Sequence, residues 1–345
     1  MSAMRRLARF VDPFIVLLLG TVVLAALLPA SGPAAVAADR TATVLIGLLF
    51  FLYGARLSPR EAMDGLRHWR LHLTIITCTF AVFPLLGLAA RGLVPWLLPD
   101  NLYDGLLFLC LVPSTVQSSI AFTSMAGGNV PAAIAAGSFS SLLGILVTPL
   151  LAAALIGASG GFSADSLLAI VCQLLLPFVA GQLLRRWIGG FVKRHKPTLS
   201  LVDRGSILVV VYAAFSEGMT AGVWSEVSWP RLVALLGVQG VLLTIMLTLT
   251  GYGARRLGFG RADRLAIVFA GSKKSLASGL PMAGVIFTEH TALAVLPLMM
   301  FHQLQLIVCA VLARRWGRSA DAPAAAPQDA GAGAGAASTS RSAPA

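Results

Sequence analysis

The sequence predicts an all-α integral membrane protein with ten transmembrane helices, arranged as two inverted repeats of five helices each. Three observations predict this fold: the composition, the number of long apolar stretches, and the distribution of basic residues between them. Of the 345 residues, 57% are hydrophobic and only 12% are charged. An average soluble domain has about 25% charged residues. So few charges cannot cover the surface of a soluble protein of this length, so lipid is the expected solvent.

Ten stretches of the chain contain the roughly 20 apolar residues that cross a bilayer core. None shows the period-two alternation of a membrane β-strand, so each is predicted to be a helix. The predicted spans are residues 11–29, 41–57, 71–94, 102–126, 130–156, 165–184, 206–223, 231–254, 265–287 and 290–313.

The basic residues follow the alternation of the loops. With the N-terminus in the cytoplasm, 21 of the 26 Lys and Arg residues fall in cytoplasmic segments and three on the outward side, while Lys273 and Lys274 lie within the ninth span. This asymmetry predicts a multi-pass protein of the plasma membrane, the inner membrane where a cell has two, with both termini cytoplasmic. The net charge of +12 is therefore assigned to topology, and membrane lipid rather than nucleic acid is the expected partner.

The first span and the C-terminal segment differ from the rest of the chain. A cleaved signal peptide is an alternative for the first span, because Arg5 and Arg6 precede an apolar run and residues 35–37 resemble a cleavage site. The run is long for a signal peptide, so a retained span is predicted. Residues 319–345 are rich in Ala, Gly, Ser and Pro and are predicted to form a disordered cytoplasmic tail.

The chain divides after the fifth span, near the Gly-rich external loop 157–164. The first repeat is predicted to cover residues 1–157 and the second residues 158–318. Because five is an odd number, the two repeats would enter the membrane in opposite orientations. Inverted repeats of this kind are typical of secondary transporters, which often carry a broken helix at the same position in each half.

The fourth and ninth spans are interrupted at similar depths in their halves. Pro113 follows Val11 by 102 residues, and Lys273 follows Asp165 by 108 residues. Irregular backbone at membrane depth is tolerated only where it faces protein or water, since each unsatisfied amide in lipid costs several kcal/mol. The two breaks are therefore predicted to meet and to line a site near the midplane.

Polar side chains cluster at both breaks. Packing between helices is the alternative role for the hydroxyls, and snorkelling is the alternative for the lysines. A charge at the centre of a span costs about 2.5–3.5 kcal/mol, and adjacent residues point about 100° apart, so a binding role is predicted for the lysine pair. The candidate residues are Ser114, Thr115, Gln117, Ser118 and Ser119 at the first break and Ser272, Lys273, Lys274, Ser275 and Ser278 at the second.

Three further polar side chains lie within predicted spans. Glu217 is the candidate counter-ion of a lysine or a cation ligand, with a place at the outer interface as the alternative. His302 and Gln305 share a helix face and are candidates for a proton relay, with a structural hydrogen bond between helices as the alternative. The four cysteines have no metal-ligand spacing and are predicted to be free thiols, so no metal centre or cofactor is expected.

The two breaks and two neighbouring segments carry four motifs: FLCLVPSTVQSSIAFTSMAGGNVPAAI (108–134), LLGILVTPLL (142–151), AAFSEGMTAG (213–222) and AIVFAGSKKSLASGLPMA (266–283). These motifs resemble the bile acid:sodium symporter (SBF-like) superfamily, in particular its bacterial symporters related to the vertebrate solute carrier family 10 member 7. The resemblance covers about residues 10–315 and implies a panel of spans 1, 2, 6 and 7 and a core of spans 3–5 and 8–10, in which spans 4 and 9 cross.

The resemblance also implies ion ligands. Family symporters hold sodium with Ser and Asn at the fourth-span break, hydroxyls on the fifth span, and Glu and Gln on the ninth. Here Ser118 and Ser119 match the Ser-Asn pair and Ser138 the fifth-span hydroxyl, but the ninth span has Gly-Ser-Lys-Lys-Ser and no acid. We hypothesise that Lys273 or Lys274 replaces one coupling ion, because an ammonium would repel Na⁺, so that transport is proton-coupled or ion-independent.

The sequence thus predicts a secondary active transporter that moves a small organic anion by alternating access, coupled to Na⁺ or H⁺, and not an enzyme. A membrane regulator of ion homeostasis that carries no solute is one alternative. A membrane hydrolase in which Lys274 activates Ser118 or Ser119 is another, but the sequence has no oxyanion signature.

Overall fold

The computed structural model describes residues 13–56, 68–156, 164–220, 222, 228–287 and 291–321. Their secondary structure is helical, and no strand occurs among them, which confirms the all-α prediction for this part of the chain. The predictions for the first arginines, for most of loop 157–164 and for the tail beyond residue 321 lie outside the described residues.

The described residues form twelve helices, two of which follow predicted breaks. Helix α3 is continuous but contains a π-helical turn at Cys78–Val82. The helices are α1 (Pro13–Leu27), α2 (Pro33–Arg56), α3 (Trp69–Leu93), α4 (Asp100–Leu111), α5 (Gln117–Met125), α6 (Val130–Leu155), α7 (Ala164–Arg194), α8 (Lys196–Thr220), α9 (Trp229–Arg256), α10 (Arg261–Gly271), α11 (Leu276–Ile286) and α12 (Thr291–Asp321).

Every predicted span overlaps one helix, or two helices at the fourth and ninth spans. Six helices are long and apolar enough to cross a membrane, namely α2, α3, α6, α8, α9 and α12, and α1 contains a shorter apolar helix, Val16–Leu27. Many large apolar side chains on these helices are exposed, including Leu73, Leu236 and Ile307. A surface of this kind requires lipid, so the chain is a multi-pass membrane protein.

The helices pack in two groups. Helices α1, α2, α7 and α8 contact one another and form what we call the four-helix layer. Helices α3–α6 and α9–α12 contact one another through the two broken pairs, α4/α5 and α10/α11, and form what we call the broken-helix layer. The two layers meet where α8 contacts α11 and α12 and where α7 contacts α6. The contact between α8 and α11 places the second break against the four-helix layer.

A close contact between two helices lies inside the four-helix layer. A Cβ atom at Gly54 would lie 2.0 Å from the carbonyl oxygen of Phe178, and one at Gly181 would lie 2.0 Å from that of Phe51. Helices α2 and α7 therefore touch backbone to backbone, a packing that only glycine permits.

Candidate functional site

The first break separates α4 from α5. Helix α4 ends because Val112 is extended, with φ −71° and ψ 156°, and because Pro113 has no N–H to continue the helix. Helix α6 satisfies the freed backbone groups: the Thr148 hydroxyl donates to Leu111 O at 2.9 Å, and Ser114 N donates to the Ser140 hydroxyl at 2.9 Å. The unwound segment is thus held by hydrogen bonds at membrane depth, as the absence of water there requires.

The second break separates α10 from α11 and contacts the first. Helix α11 begins with a capping Ser275, whose hydroxyl accepts from Ser278 N at 3.2 Å. The backbone N–H of Ser275 also donates to Pro113 O at 2.8 Å. The expectation that the two breaks meet agrees with this contact.

Hydroxyls of the first break cap the carbonyl end of α10. The Ser114 hydroxyl donates to Ala270 O, and the Ser119 hydroxyl, which has a single proton, lies within hydrogen-bond distance of both Phe269 O, at 2.9 Å, and Thr115 O. The carbonyl groups in the last turn of a helix have no partner within the helix, so these hydroxyls supply the missing donors. Ser114 and Ser119 are fully buried, and these hydrogen bonds match the packing alternative for both side chains.

Lys274 binds a cage of three backbone carbonyls. Its side chain is fully buried, and its Nζ donates to Thr79 O at 2.8 Å, Cys110 O at 2.7 Å and Val112 O at 2.8 Å. The ammonium also lies 4.3 Å from the ring centroid of Phe83, a cation–π distance. An ammonium has three N–H donors, so this set of acceptors uses them all.

The carbonyl of Thr79 is available because the π-helical turn of α3 leaves it without a helical donor. Phe83 N–H bonds to Cys78 O, so it cannot reach Thr79 O. The next residue, Pro84, has no N–H to offer. Lys274 therefore supplies a donor that the backbone of α3 lacks.

Gln305 on α12 fixes the backbone of the second break. Its Oε1 accepts from Lys274 N at 2.8 Å, and its Nε2 donates to Lys274 O at 2.8 Å. The Nε2 atom also lies 2.9 Å from His302 Nδ1. The Thr115 hydroxyl donates to the same Lys274 carbonyl at 2.9 Å. Gln305 thus makes the structural hydrogen bond between helices that was the alternative to a relay.

Lys273 points away from this cage. Its Nζ donates to the Ser118 hydroxyl at 2.9 Å and lies 4.5 Å from the ring centroid of Phe122. The side chain is fully buried, so it does not snorkel. The ion pairs Arg56–Asp203 and Arg91–Asp100 do not include a lysine.

A cavity of about 620 Å³ lies between the two layers and reaches both breaks. Its broken-helix wall carries hydroxyls and amides, and its four-helix wall carries aromatic side chains and three charged ones. Seven predicted site residues line it: Thr115, Gln117, Ser118, Ser138, Ser275, Ser278 and His302.

The other predicted site residues lie elsewhere. Glu217 is exposed near the C-terminal end of α8 and is not among the residues that line the cavity, so its role as a counter-ion stays a prediction. The rest are buried behind the cavity wall: Ser114, Ser119, Ser272, Lys273, Lys274 and Gln305.

Sequence reasoning missed the charged part of the cavity wall. Arg56, Asp203 and Arg204 line the cavity, but the arginines had been counted only as basic residues of cytoplasmic segments. Arg56 and Asp203 are 147 residues apart, and no local pattern links them. The only available signal was an acid and a base near the predicted ends of two spans.

The described residues include no group of three or more His, Cys, Asp or Glu side chains that could hold a metal ion. Polytopic helices, two broken helices in contact and, beside them, a largely apolar cavity with hydroxyl and charged groups in its wall define the class of membrane transporters. Within this class, the chain belongs to the SBF-like CPA transporter family. The sequence profile of that family matches residues 12–318.

Individual relatives agree with this assignment. The chain is 54% identical over 318 residues to an uncharacterized protein of Pseudomonas aeruginosa, covering 91% of this chain and 96% of the relative. It is 48% identical over 318 residues to the candidate symporter YfeH of Escherichia coli, covering 92% and 96%. It is 31% identical over 279 residues to sodium/bile acid cotransporter 7 of Rattus norvegicus, covering 78% and 81%.

Proposed function

We propose that the protein is a secondary active transporter that moves a small organic anion across the plasma membrane by alternating access. The observation that carries this proposal is the cavity, which ends at the contact between the two broken helices, where the Lys273 ammonium lies behind Ser118. Positive charge beside a largely apolar cavity attracts an anion, and the hydroxyl groups of the wall supply hydrogen bonds that orient it.

The proposed architecture has ten spans in two inverted repeats, residues 1–157 and 158–318, with both termini in the cytoplasm. Helices α1–α6 would form the first repeat and α7–α12 the second, each with one broken pair. The four-helix layer would be the panel and the broken-helix layer the core. The helix packing and the match in depth of the two breaks support this arrangement.

We assign different tasks to the two lysines. Lys274 has all its donors on backbone carbonyls, so it would stand in for a coupling cation and stabilise the crossing. Lys273 bonds to a hydroxyl of the cavity wall, so it would provide the positive potential that the substrate senses. A Na⁺ ion at Ser118 and Ser119 would be repelled by the ammonium 2.9 Å from Ser118 Oγ, which favours H⁺ coupling or ion-independent transport over Na⁺ coupling.

Uptake by purified protein in proteoliposomes tests the proposal. We expect saturable organic-anion uptake that shows counterflow, that a Na⁺ gradient at fixed pH does not increase, and that is lost in Lys273→Met. Uptake driven by Na⁺ alone and retained when both lysines are changed to Met would contradict the assigned roles. A folded protein without counterflow for any organic anion would instead favour the regulator of ion homeostasis.

The hydrolase alternative now involves a different pair. Lys274 donates to carbonyls, whereas Lys273 is the lysine that lies 2.9 Å from the Ser118 hydroxyl. A neutral lysine at this distance is placed to take the proton of a serine hydroxyl. Labelling of Ser118 by a fluorophosphonate probe, lost in Lys273→Met, would support the enzyme, and we expect no labelling.

A further inference from the structure

The side-chain amide of Gln305 has only one orientation that satisfies its contacts. Its Oε1 lies 2.8 Å from the backbone nitrogen of Lys274, and its Nε2 lies 2.8 Å from the Lys274 carbonyl oxygen. An N–H group needs an acceptor and a carbonyl needs a donor, so exchanging the two ends of the amide would place like groups opposite each other at both contacts. The backbone of the second break therefore determines which end of the amide is Nε2.

This orientation determines the protonation of His302. The Nε2 group of Gln305 has two hydrogens and cannot accept a hydrogen bond. One hydrogen is donated to Lys274 O, and the other is left for His302 Nδ1 at 2.9 Å. His302 Nδ1 must accept, so it carries no proton, and the single proton of a neutral ring is on its Nε2. His302 is thus an uncharged imidazole in this arrangement.

A proton on Nδ1 would disrupt this arrangement. It converts the acceptor into a donor, so that two N–H groups face each other at 2.9 Å. If Gln305 turned its Oε1 toward the charged imidazole instead, it would lose both of its hydrogen bonds to Lys274. The charge of His302 is therefore linked through one amide to the backbone of the second break.

Protons can reach His302 from the cavity. His302 is half-buried and lines the cavity, which extends to Arg56, Ser200 and Arg204 at the ends of α2 and α8 that the proposed orientation places in the cytoplasm. Gln305 is fully buried and has no proton to pass on, because its amide does not titrate. The pair is therefore a proton acceptor with a sensor behind it, and not a relay.

The charges around His302 are mainly positive. Within the described part of the chain, the other ionisable side chains that line the cavity are Tyr53, Arg56, Asp203 and Arg204. Helices α5 and α11 pack against α12 and contain no ionisable side chain, while Lys273 lies buried behind Ser118. The remaining ionisable residues of α4, α8 and α9, which also pack against α12, do not line the cavity: Asp100, Tyr103, Asp104, Cys110, Lys196, Tyr212, Glu217, Arg231, Tyr252, Arg255 and Arg256.

We propose that His302 is the proton-binding site of the transporter and that Gln305 couples its protonation to the second break. The proton adds to the lone pair of Nδ1 and breaks the hydrogen bond from Gln305 Nε2, so the structure represents the deprotonated state. An anion in the cavity offsets the added positive charge, so proton and anion bind together. This inference rests on the proposed function and names the residue that binds its coupling proton.

Nitrogen NMR of the purified protein in lipid bilayers, with isotope-labelled histidine, tests the site directly. The signals of His302 are those that disappear in His302→Asn. We expect an unprotonated Nδ1 and a protonated Nε2 at about pH 8, and protons on both at about pH 5, the range over which histidine changes its charge. A proton on Nδ1 at about pH 8, or a ring that stays neutral at about pH 5, would overturn the proposal.

Thermal unfolding tests the coupling to the second break. His302→Asn places an amide oxygen where Nδ1 lies, so it keeps an acceptor for Gln305 but cannot take up a proton. The native arrangement binds no proton at Nδ1, whereas the unfolded chain does below about pH 6.5, so the wild type loses stability as the pH falls. Between about pH 8 and about pH 5, its melting temperature should fall by about 2–4 °C more than that of His302→Asn.

Two further variants separate coupling from a structural role of His302. Gln305→Leu removes the donor that opposes a proton on Nδ1, so in this background His302→Asn should no longer change the pH dependence. His195→Asn removes an exposed histidine between α7 and α8 and should not reduce the fall in melting temperature. Equal pH dependence of the wild type and His302→Asn would contradict the coupling.

Neither measurement needs transport, so failure of this inference is distinguishable from failure of the proposed function. Counterflow with equal pH on both sides of the membrane needs no proton gradient and tests the transporter alone. Counterflow by a protein whose His302 stays neutral would overturn the proton site and leave the transporter intact. A His302 that titrates as expected in a protein without counterflow would support the proton site and overturn its role in transport.

Discussion

At the scale of single residues, the structure shows how a lysine is stabilised in the membrane without a carboxylate. Three carbonyl dipoles surround the Lys274 ammonium at hydrogen-bond distance, and an aromatic ring covers it. Carbonyl groups carry partial negative charge, so together they replace the hydration of a cation, as they do in ion channels. The ammonium is therefore stabilised by backbone carbonyls of the protein itself.

Removal of the Lys274 side chain should leave a cage that small ammonium ions can fill. Lys274→Ala leaves three buried acceptors without donors, at about 1–3 kcal/mol each, so its melting temperature should fall well below that of the wild type. Methylammonium chloride should restore part of the loss by binding the native state, whereas tetramethylammonium chloride, which has no N–H, should not. Thermal unfolding in detergent measures both effects.

Lys193→Ala is the matched control, because Lys193 is exposed on α7. It should melt like the wild type and respond equally to the two salts. An equal response of Lys274→Ala to both salts would show that the cage does not bind cations.

Gln305 should contribute to stability through the backbone of Lys274. Gln305→Leu removes the acceptor of the Lys274 N–H and one of the two donors to the Lys274 carbonyl in a fully buried segment, and we expect a loss of about 1–3 kcal/mol. Gln303→Leu, at a half-buried position of the same helix, should change stability by less than about 0.5 kcal/mol. Equal melting temperatures for the two variants would contradict the structural role of Gln305.

The sequence was sufficient to predict the two breaks and the lysine pair, because prolines, hydroxyls and charges inside apolar runs can be recognised without a structure. It could not assign the lysines their partners. The acceptors of Lys274 are backbone carbonyls on α3 and at the end of α4, and the carbonyl of Thr79 is free only because a π-helical turn precedes Pro84. Such partners depend on tertiary packing, and no residue type marks them.

At the scale of helices, the four-helix layer depends on one pair of close contacts. Gly54 faces the carbonyl of Phe178, and Gly181 faces that of Phe51. On each helix a glycine, which has no side chain, leaves room for the backbone of the other helix. Small residues of this kind drive helix association in lipid, where no hydrophobic effect holds helices together.

Alanine at either glycine should force α2 and α7 apart. A Cβ atom 2.0 Å from a carbonyl oxygen cannot be accommodated without a backbone shift, so Gly54→Ala and Gly181→Ala should each lose at least about 1–3 kcal/mol of stability. Gly190→Ala is the control on α7, since nothing lies within 4 Å of its added Cβ. It should be neutral or stabilising, because alanine favours a helix by about 1 kcal/mol. Thermal unfolding of the three variants side by side is the measurement.

At the scale of the whole molecule, composition and periodicity were enough to locate each helix, since every predicted span overlaps one or two of them. Charge counting was less informative about the cavity. It treated Arg56 and Arg204 as topology signals, although both side chains also line the space between the layers. A basic residue at the end of a span can both set the topology and line the cavity. Only the relative position of the two layers shows that it lines the cavity.

The proposed orientation predicts which loops face the outside of the cell. Trp229→Cys, at the start of α9, should react with a membrane-impermeant maleimide in intact cells, whereas His195→Cys, between α7 and α8, should react only after permeabilisation. Both positions are exposed, and the wild type is the control, because its four cysteines are buried or half-buried. The reverse pattern of labelling would contradict the placement of the N-terminus in the cytoplasm.

The mutual capping of the two breaks also affects how the chain is made. The carbonyls at the end of α10 bond to hydroxyls of the first break, and the carbonyl of Pro113 bonds to the N–H of Ser275. The ribosome delivers the first half to the bilayer before the second exists. During synthesis the fourth span therefore contains a backbone carbonyl, that of Pro113, which has no partner from the second half and which lipid cannot solvate. We therefore expect the first half to reach its final structure only after the ninth span has inserted beside it.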